Sequence, residues 1–285
     1  MDVVQLDYRV PPEDLRPYVT LFYHFRADLA VFDDVERADH AQLRFRLRSG
    51  AEASYRFADG RCQPSPMLHV IGPTTGAIRT RAEGPIELVG MGLQPAGWHA
   101  LIGIEASAMI DRAADACDLL SVGVVDAAAA MRAVNDIDAR IDIAASFVRR
   151  AVAIGARCST EFAARIDAWL AGSASPNVVE LVAMTGLSRR QVERRCNALY
   201  GAPPRVLARK YRALRAASAL ASGSASLDEL LAEGFYDQSH LIRELKRFTG
   251  MTPRQLRERP TLLAQLTISQ RHALHGQVHP IISDT

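Results

Sequence analysis

The 285-residue sequence predicts an α+β chain: an antiparallel β barrel or sandwich with a helical extension, then an all-α domain made of two helix-turn-helix units. Three observations carry this. The segments 186–201 and 234–250 share one layout, offset by 49 residues from the helix cap onward. The first 120 residues hold short apolar runs bounded by Gly, Pro and Asp. Charge is partitioned: residues 176–260 carry 15 Lys+Arg against 8 Asp+Glu and the rest carries 19 against 24, so a net +2 hides a basic C-terminal module.

Taken in order, the β elements come first. In 43–49, Leu43, Phe45 and Leu47 alternate with Arg44, Arg46 and Arg48, which is the two-residue period of a strand with unlike faces. The runs 54–57, 67–73 and 86–95 read as further strands, separated by turn residues at 49–50, 59–66, 72–76 and 83–85. A small antiparallel barrel or sandwich is a common ligand-binding shape. From 121 to 172 three segments, each apolar on one side, predict helices. Two roles are open to them: packing on their own β domain, or a dimer contact and strut between domains. Gly, Ser and Pro in 172–177 mark a linker. The organisation expected is therefore 1–120, 121–172, 173–260 and a tail of 261–285.

Ser188 and Asp237 are N-cap types, and each precedes an apolar stripe at helical spacing: Val192, Cys196 and Leu199, then Leu241, Leu245 and Phe248. Gly201 and Gly250 end these helices where a left-handed residue is needed, and Pro204 and Pro253 open the next segments. A shorter helix precedes each turn, 178–184 with Val178, Leu181 and Val182 inward and 227–232 with Leu227, Leu230 and Leu231 inward. Between the units, 204–220 reads as one helix with Leu207, Tyr211, Leu214 and Leu220 buried. Its length of about 25 Å can hold two recognition helices about 34 Å apart, one DNA turn. The faces left free carry Arg189, Arg190, Arg194 and Arg195 in one copy and Gln238, Ser239, His240, Arg243, Lys246 and Arg247 in the other. One such helix alone reads as a solvated surface; two matched copies suit a phosphate-lined groove. An arginine-rich basic module also predicts binding that falls steeply with salt.

These residues resemble the DNA-binding domain of AraC/XylS-type transcription regulators over about 175–258. The segment 234–253 is the most specific part, and Ser188, Arg194, Gly201, Pro204 and Arg212 stand at the marks of the first half. The resemblance implies double-stranded DNA as partner, with adjacent major grooves read by Arg190, Glu193 and Arg194 in the first helix and by Gln238, Ser239 and Arg243 in the second. It places Ser188, Arg212, His240 and Lys246 on phosphates, where they position the protein without reading sequence. The residue types fit, since arginine spans both guanine acceptors and glutamine pairs with adenine. It further implies a homodimer, a contact with RNA polymerase, and a small-molecule effector on a cupin-like N-terminal sensor; 90–120 is similar to the end of such domains. The sequence departs from the family at Val182 and Leu230, where a small residue is usual, and at Cys196, where the first recognition helix normally carries an aromatic.

No catalytic machinery is visible. His24, His40, His69 and His99 are isolated and read as surface or satisfied core histidines, because a metal cupin needs a clustered His/Glu set. GxSxG, P-loop, GxGxxG and HExxH motifs do not occur, so neither an enzyme nor a cofactor is expected. Trp98 reads as a core anchor or, with His99, as a pocket wall. Cys62, Cys117, Cys158 and Cys196 are scattered and read as core thiols without disulfides. With no 18-residue apolar run and no signal peptide, a soluble cytoplasmic protein is expected, with no membrane contact. His272, His275 and His279 stand three and four residues apart, but Gly276 and Pro280 interrupt them, so the tail reads as a poorly ordered extension. The competing functional reading is a ligand-independent DNA-binding protein whose N-terminal domain is an interaction platform. An enclosed apolar cavity favours sensing and a solid core favours the platform.

Overall fold

A computed structural model describes residues 4–120, 123–155 and 160–285. The chain opens with β1 (Val4–Arg9), β2 (Val19–Ala27), β3 (Val31–Glu36), β4 (Ala41–Arg48), β5 (Ala53–Arg56), β6 (Cys62–Pro64), β7 (Leu68–Ile71), β8 (Ile78–Glu83) and β9 (Ile86–Leu93). After α1 (Pro95–Leu101) comes a last short strand, β10 (Ala113–Asp115). Two antiparallel sheets result, one ordered β1-β2-β9-β4-β7-β10 and the other β3-β8-β5-β6. The antiparallel N-terminal domain is thus as the sequence predicts.

The alternation in β4 explains the layering. Leu43, Phe45 and Leu47 are buried on the outer side under α3 (Val124–Arg132) and α4 (Ile137–Ile154), where the Phe45 and Phe147 rings meet edge-on at 5.7 Å. Ile141, Ala144, Ala145 and Val148 of α4 continue that contact, so these helices pack on their own β domain. The arginine face is interior as well. Arg44 and Arg46 are 6% and 4% exposed and project between the sheets. A buried guanidinium is tolerable only if its donors are satisfied. Arg44 meets both Glu36 oxygens at 2.9 and 2.5 Å, Gln42 Oε1 at 2.6 Å and the hydroxyls of Tyr23 and Tyr55 at 2.9 and 3.1 Å. Burial is the largest single influence and opposes the charge on Arg44, yet Glu36, Tyr23 and Tyr55 together outweigh it and hold the pKa well above the ordinary arginine value. Between the sheets and the C-terminal helices lies a cavity of about 100 Å³.

Of the β-domain histidines, His69 is a satisfied core group, fully buried between Tyr55 Oη at 2.8 Å and the Pro66 carbonyl at 2.7 Å; His24 is buried and meets Glu87 through Nε2 at 3.0 Å while its Nδ1 has no partner, and His99 is half-buried. Trp98 is a core anchor, 2% exposed, with Nε1 donating to the Ile104 carbonyl at 2.7 Å, and with His99 it also lines a pocket of about 580 Å³.

Beyond α2 (Ala116–Leu119), α3 and α4, the helix α5 (Glu161–Ala171) changes allegiance. Its Phe162, Ile166, Trp169 and Leu170 join a core with α6 (Val178–Thr185), α7 (Arg189–Tyr200) and α8 (Pro204–Ser222). The second helical unit follows as α9 (Leu227–Ala232), α10 (Gln238–Thr249) and α11 (Pro253–Glu258).

Three expectations need correction. The tail is not a loose extension: α12 (Leu262–His272) and α13 (Pro280–Ser283) are formed, with Thr267, Arg271, Ile281 and Ile282 buried. The inner face of α12 is mixed, Leu263, Ala264 and Ile268 beside the buried Thr267 and Arg271, so no clean apolar stripe marks it in the sequence. His279 caps α13 and His275 pairs with Asp284 at 3.0 Å, and no metal-holding group occurs among the described residues. Second, Cys62 and Cys117 are exposed, because one lies on a narrow edge strand and the other in an outer turn of helix; Cys196 is the buried thiol. Cys158 lies outside the described residues. Third, 59–66 is more than a turn, since it contains β6. No helix among the described residues is long and apolar enough to cross a membrane.

Candidate nucleic-acid interface

The first unit turns at Gly186, whose φ of 65° places it in the left-handed region. Ser188 then caps α7 in a reciprocal box with Gln191: its hydroxyl accepts from the Gln191 N–H, and its own N–H donates to Gln191 Oε1 at 2.9 Å. Val192, Cys196 and Tyr200 face the core, and burial pushes the Cys196 thiol up to about 12. The outer face carries Arg189, Arg190, Arg194 and Arg195. These four are not equivalent. Arg189 pairs with Glu193 at 3.1 Å, and the Arg195 guanidinium lies 5.4 Å over the Phe162 ring. Arg190 and Arg194 are exposed, the two arginines expected to read bases.

The second unit is built the same way. Ser226 and Glu229 form the capping box of α9, and Asp237 caps α10 by accepting from the His240 N–H at 2.6 Å. Leu241, Leu245 and Phe248 are fully buried, which leaves Gln238, Ser239, Arg243, Lys246 and Arg247 exposed. His240 accepts from the Tyr236 N–H through Nδ1 at 3.2 Å, which fixes its ring. With Nδ1 so occupied, Nε2–H is the free donor, the arrangement a phosphate contact needs. Tyr236 itself is 92% exposed beside the cap, a feature the sequence reading missed because a lone aromatic in a turn carries no spacing signal.

Of the expected residues, the structure sets Arg190, Glu193 and Arg194 along the open side of α7, and Gln238, Ser239, Arg243 and Lys246 along the open side of α10. Arg212 is set differently. It stacks over Phe235 at 5.1 Å and donates to Ser175 Oγ at 3.1 Å, while its Nε is buried without a partner.

Three basic side chains of α8 that the sequence reading did not single out organise the interface. Arg209 makes a two-pronged pair with Glu244 at 2.8 and 2.6 Å and so sets α10 against α8; the carboxylate is 4% exposed. Arg215 donates to the carbonyls of Leu170 and Ser173, both at 2.7 Å, and ties the 172–177 segment to α8. Lys210 is fully enclosed and donates to the carbonyls of Asp39 at 2.6 Å and Thr74 at 3.2 Å in the β domain. A glutamate among the buried positions of an otherwise basic helix was the available signal for the first of these.

Both recognition helices end on the β domain. Gly201 and Gly250 have φ of 74° and 75°. A Cβ at Gly201 would lie 2.9 Å from Ile110, and one at Gly250 would lie 2.5 Å from Val35, so each position requires glycine twice over. The Phe248 carbonyl accepts from the Ala38 N–H at 2.7 Å, and the Arg247 carbonyl accepts from the Ala77 N–H at 2.8 Å. The N-terminal turns, with Arg190, Gln238 and Ser239, stay open.

A family model described as a helix-turn-helix domain matches residues 181–259, and one described as a domain of unknown function (DUF6597) matches residues 8–115. No curated protein matches the chain. Among solved structures, the chain is similar to an apo ToxT variant from Vibrio cholerae, at 10% identity and a TM-score of 0.43, over 80% of this chain and 97% of that one. The first match runs from α6 to α11 and takes in both capped, basic-faced helices α7 and α10. Residues 181–259 are therefore a helix-turn-helix domain, the DNA-binding part of a transcription regulator.

Proposed function

We propose that the protein is a sequence-specific transcription regulator whose α7 and α10 enter adjacent major grooves of one duplex, under control of a small molecule that acts through the β domain. Base reading falls to Arg190, Glu193, Arg194, Gln238, Ser239 and Arg243; Ser188, Arg212, His240 and Lys246 take phosphates. One observation supports this above the rest: the two helices leave their polar first turns open while their last turns rest on the β domain. A change in the β domain then alters how both reading heads are held, which shifts the population able to engage two grooves. The connector α8, 19 residues and about 28 Å long, supports the spacing of one DNA turn. A homodimer, a contact with RNA polymerase and a cytoplasmic location belong to the same reading.

The test is selection of bound fragments from randomised DNA with the purified chain, repeated with cell metabolites added. The expected product is a motif with two half-sites about 10 base pairs apart, and its recovery changes with at least one metabolite fraction. A single half-site would remove the two-headed reading; a motif indifferent to every fraction would remove the effector. The size of the cavity, about 100 Å³ against the roughly 300–1,000 Å³ usual for ligand sites, favours a second reading, an interaction platform that takes no ligand. That reading forecasts the indifferent result.

A further inference from the structure

The cavity between the sheets is closed on one side by the far end of the same chain. Leu263, Ala264, Thr267, Ile268 and Arg271 of α12 all line it. Leu263 and Leu266 pack on the β-domain cluster of Leu6, Phe25 and Phe32. Ala264 packs on the cluster that holds Leu241 and Leu245 of α10. One face of α12 therefore seals two cores that belong to different domains, which a tail without a role would not be shaped to do.

Polar contacts fasten it at both ends. The Leu263 N–H donates to Asp34 Oδ2 at 3.0 Å; eight residues on, Arg271 lies 5.4 Å over the Tyr8 ring and donates to Asp39 Oδ2 at 2.5 Å. The two charged side chains are 9% and 14% exposed, so their attraction is screened less than that of a surface pair. Asp39 is also where the connector lands. Its carbonyl accepts from Lys210, and the next residue, His40, is hydrogen-bonded to the Tyr211 hydroxyl at 3.0 Å. Two consecutive residues thus hold the tail by a side chain and α8 by backbone and ring.

We propose that α12 is a lid on the inter-sheet cavity, latched by Arg271 on Asp39, and that lifting it loosens α8 from the β domain. The space occupied by five inward side chains becomes available when the helix lifts, and both latch charges then hydrate, so opening leaves no buried ion unpaired. This rests on the effector reading above and gives it a route: a molecule entering the cavity displaces α12, and the Asp39–His40 junction passes the change to the helix that spaces the two reading heads.

The experiment uses the full chain with Arg271→Gln and, separately, Leu263→Ser/Ile268→Ser, both of which leave the residues of α13 unchanged. Anilinonaphthalene sulfonate reports opened apolar space, and hydrogen exchange reports residues 262–272 and 207–214. Both variants should bind the dye about three-fold more strongly, exchange 262–272 about ten-fold faster, and also lose protection over 207–214 while unfolding cooperatively. Faster exchange in 262–272 with dye emission at the wild-type level would overturn the lid, and unchanged protection over 207–214 would overturn its link to α8. Should the variants not fold, the unaltered chain decides: amides of α12 should exchange through an opening well below global unfolding, and exchange only with global unfolding would sink the idea. Failure of the effector reading is separate, since it shows as DNA binding that no metabolite moves while these lid readouts keep their values.

Discussion

Arg243 and Lys246 sit three residues apart on the open side of α10, and their chemistry separates their expected roles. A guanidinium can span two base acceptors, whereas an ammonium is a point charge suited to phosphate. Arg243→Ala should cost about 1–3 kcal/mol against one base position and relax preference there. Lys246→Ala should weaken all sequences alike and lower the salt slope by about 1. Titrations against single-base operator variants at several salt concentrations check both; an equal loss on specific and random DNA for Arg243→Ala removes its base-reading role. Arg212 tests the opposite case. Its stack on Phe235 and its bond to Ser175 mean that Arg212→Ala should lower the melting temperature as well as DNA affinity, while Arg243→Ala leaves melting unchanged. Identical melting of the two variants would show that the stack contributes nothing.

Within the second helix-turn-helix, the Arg209–Glu244 fork is what fixes the rotation of α10 on α8. Glu244 is 4% exposed while Arg209 is 39% exposed, so the partners are unequal. Arg209→Ala leaves a carboxylate stranded in the core and should destabilise by about 2–3 kcal/mol, below the full value for a buried pair because water reaches one side. Adding Glu244→Leu should recover most of that loss, as urea midpoints of the single and double variants would show; a double variant less stable than the single would mean the fork adds more than it relieves. This pair also shows where the sequence was legible. Caps, stripes and the paired glycines are local signals, and the structure places them as expected in α7, α8 and α10. Glu244 is a long-range solution: nothing within α10 says that an arginine from another helix will meet it. The β domain behaves likewise. β4 was visible because its faces differ within seven residues, but β3 and β8 were not, since Asp33 is satisfied only across the strands by Arg79 and Arg81. The tail was misread for the same reason, its helix being defined by what it covers.

For the molecule as a whole, the telling group is Lys210, an ammonium at the middle of the connector with its donors in the β domain. Burial pulls its pKa down to about 8, with Asp39 and Asp111 opposing part of that fall. In the unfolded chain the same amine holds its proton to about 10.4. Between these values the unfolded state binds more protons than the folded one, so stability rises with pH there. Below the folded value the penalty for the buried charge is present in full, on the order of 3 kcal/mol. Buried acids act the other way. The Cys196 thiol and the Tyr200 and Tyr211 phenols have pKa values raised by burial, so the unfolded chain releases their protons first and stability falls as pH climbs. Comparison with Lys210→Met cancels those groups. Between about pH 7.5 and 9.5 the wild type should gain on the order of 2 kcal/mol relative to the variant, read from urea midpoints at each pH. A difference that stays flat, or that shrinks as pH rises, would show that the lysine is hydrated and that the connector is not bolted to the β domain through it.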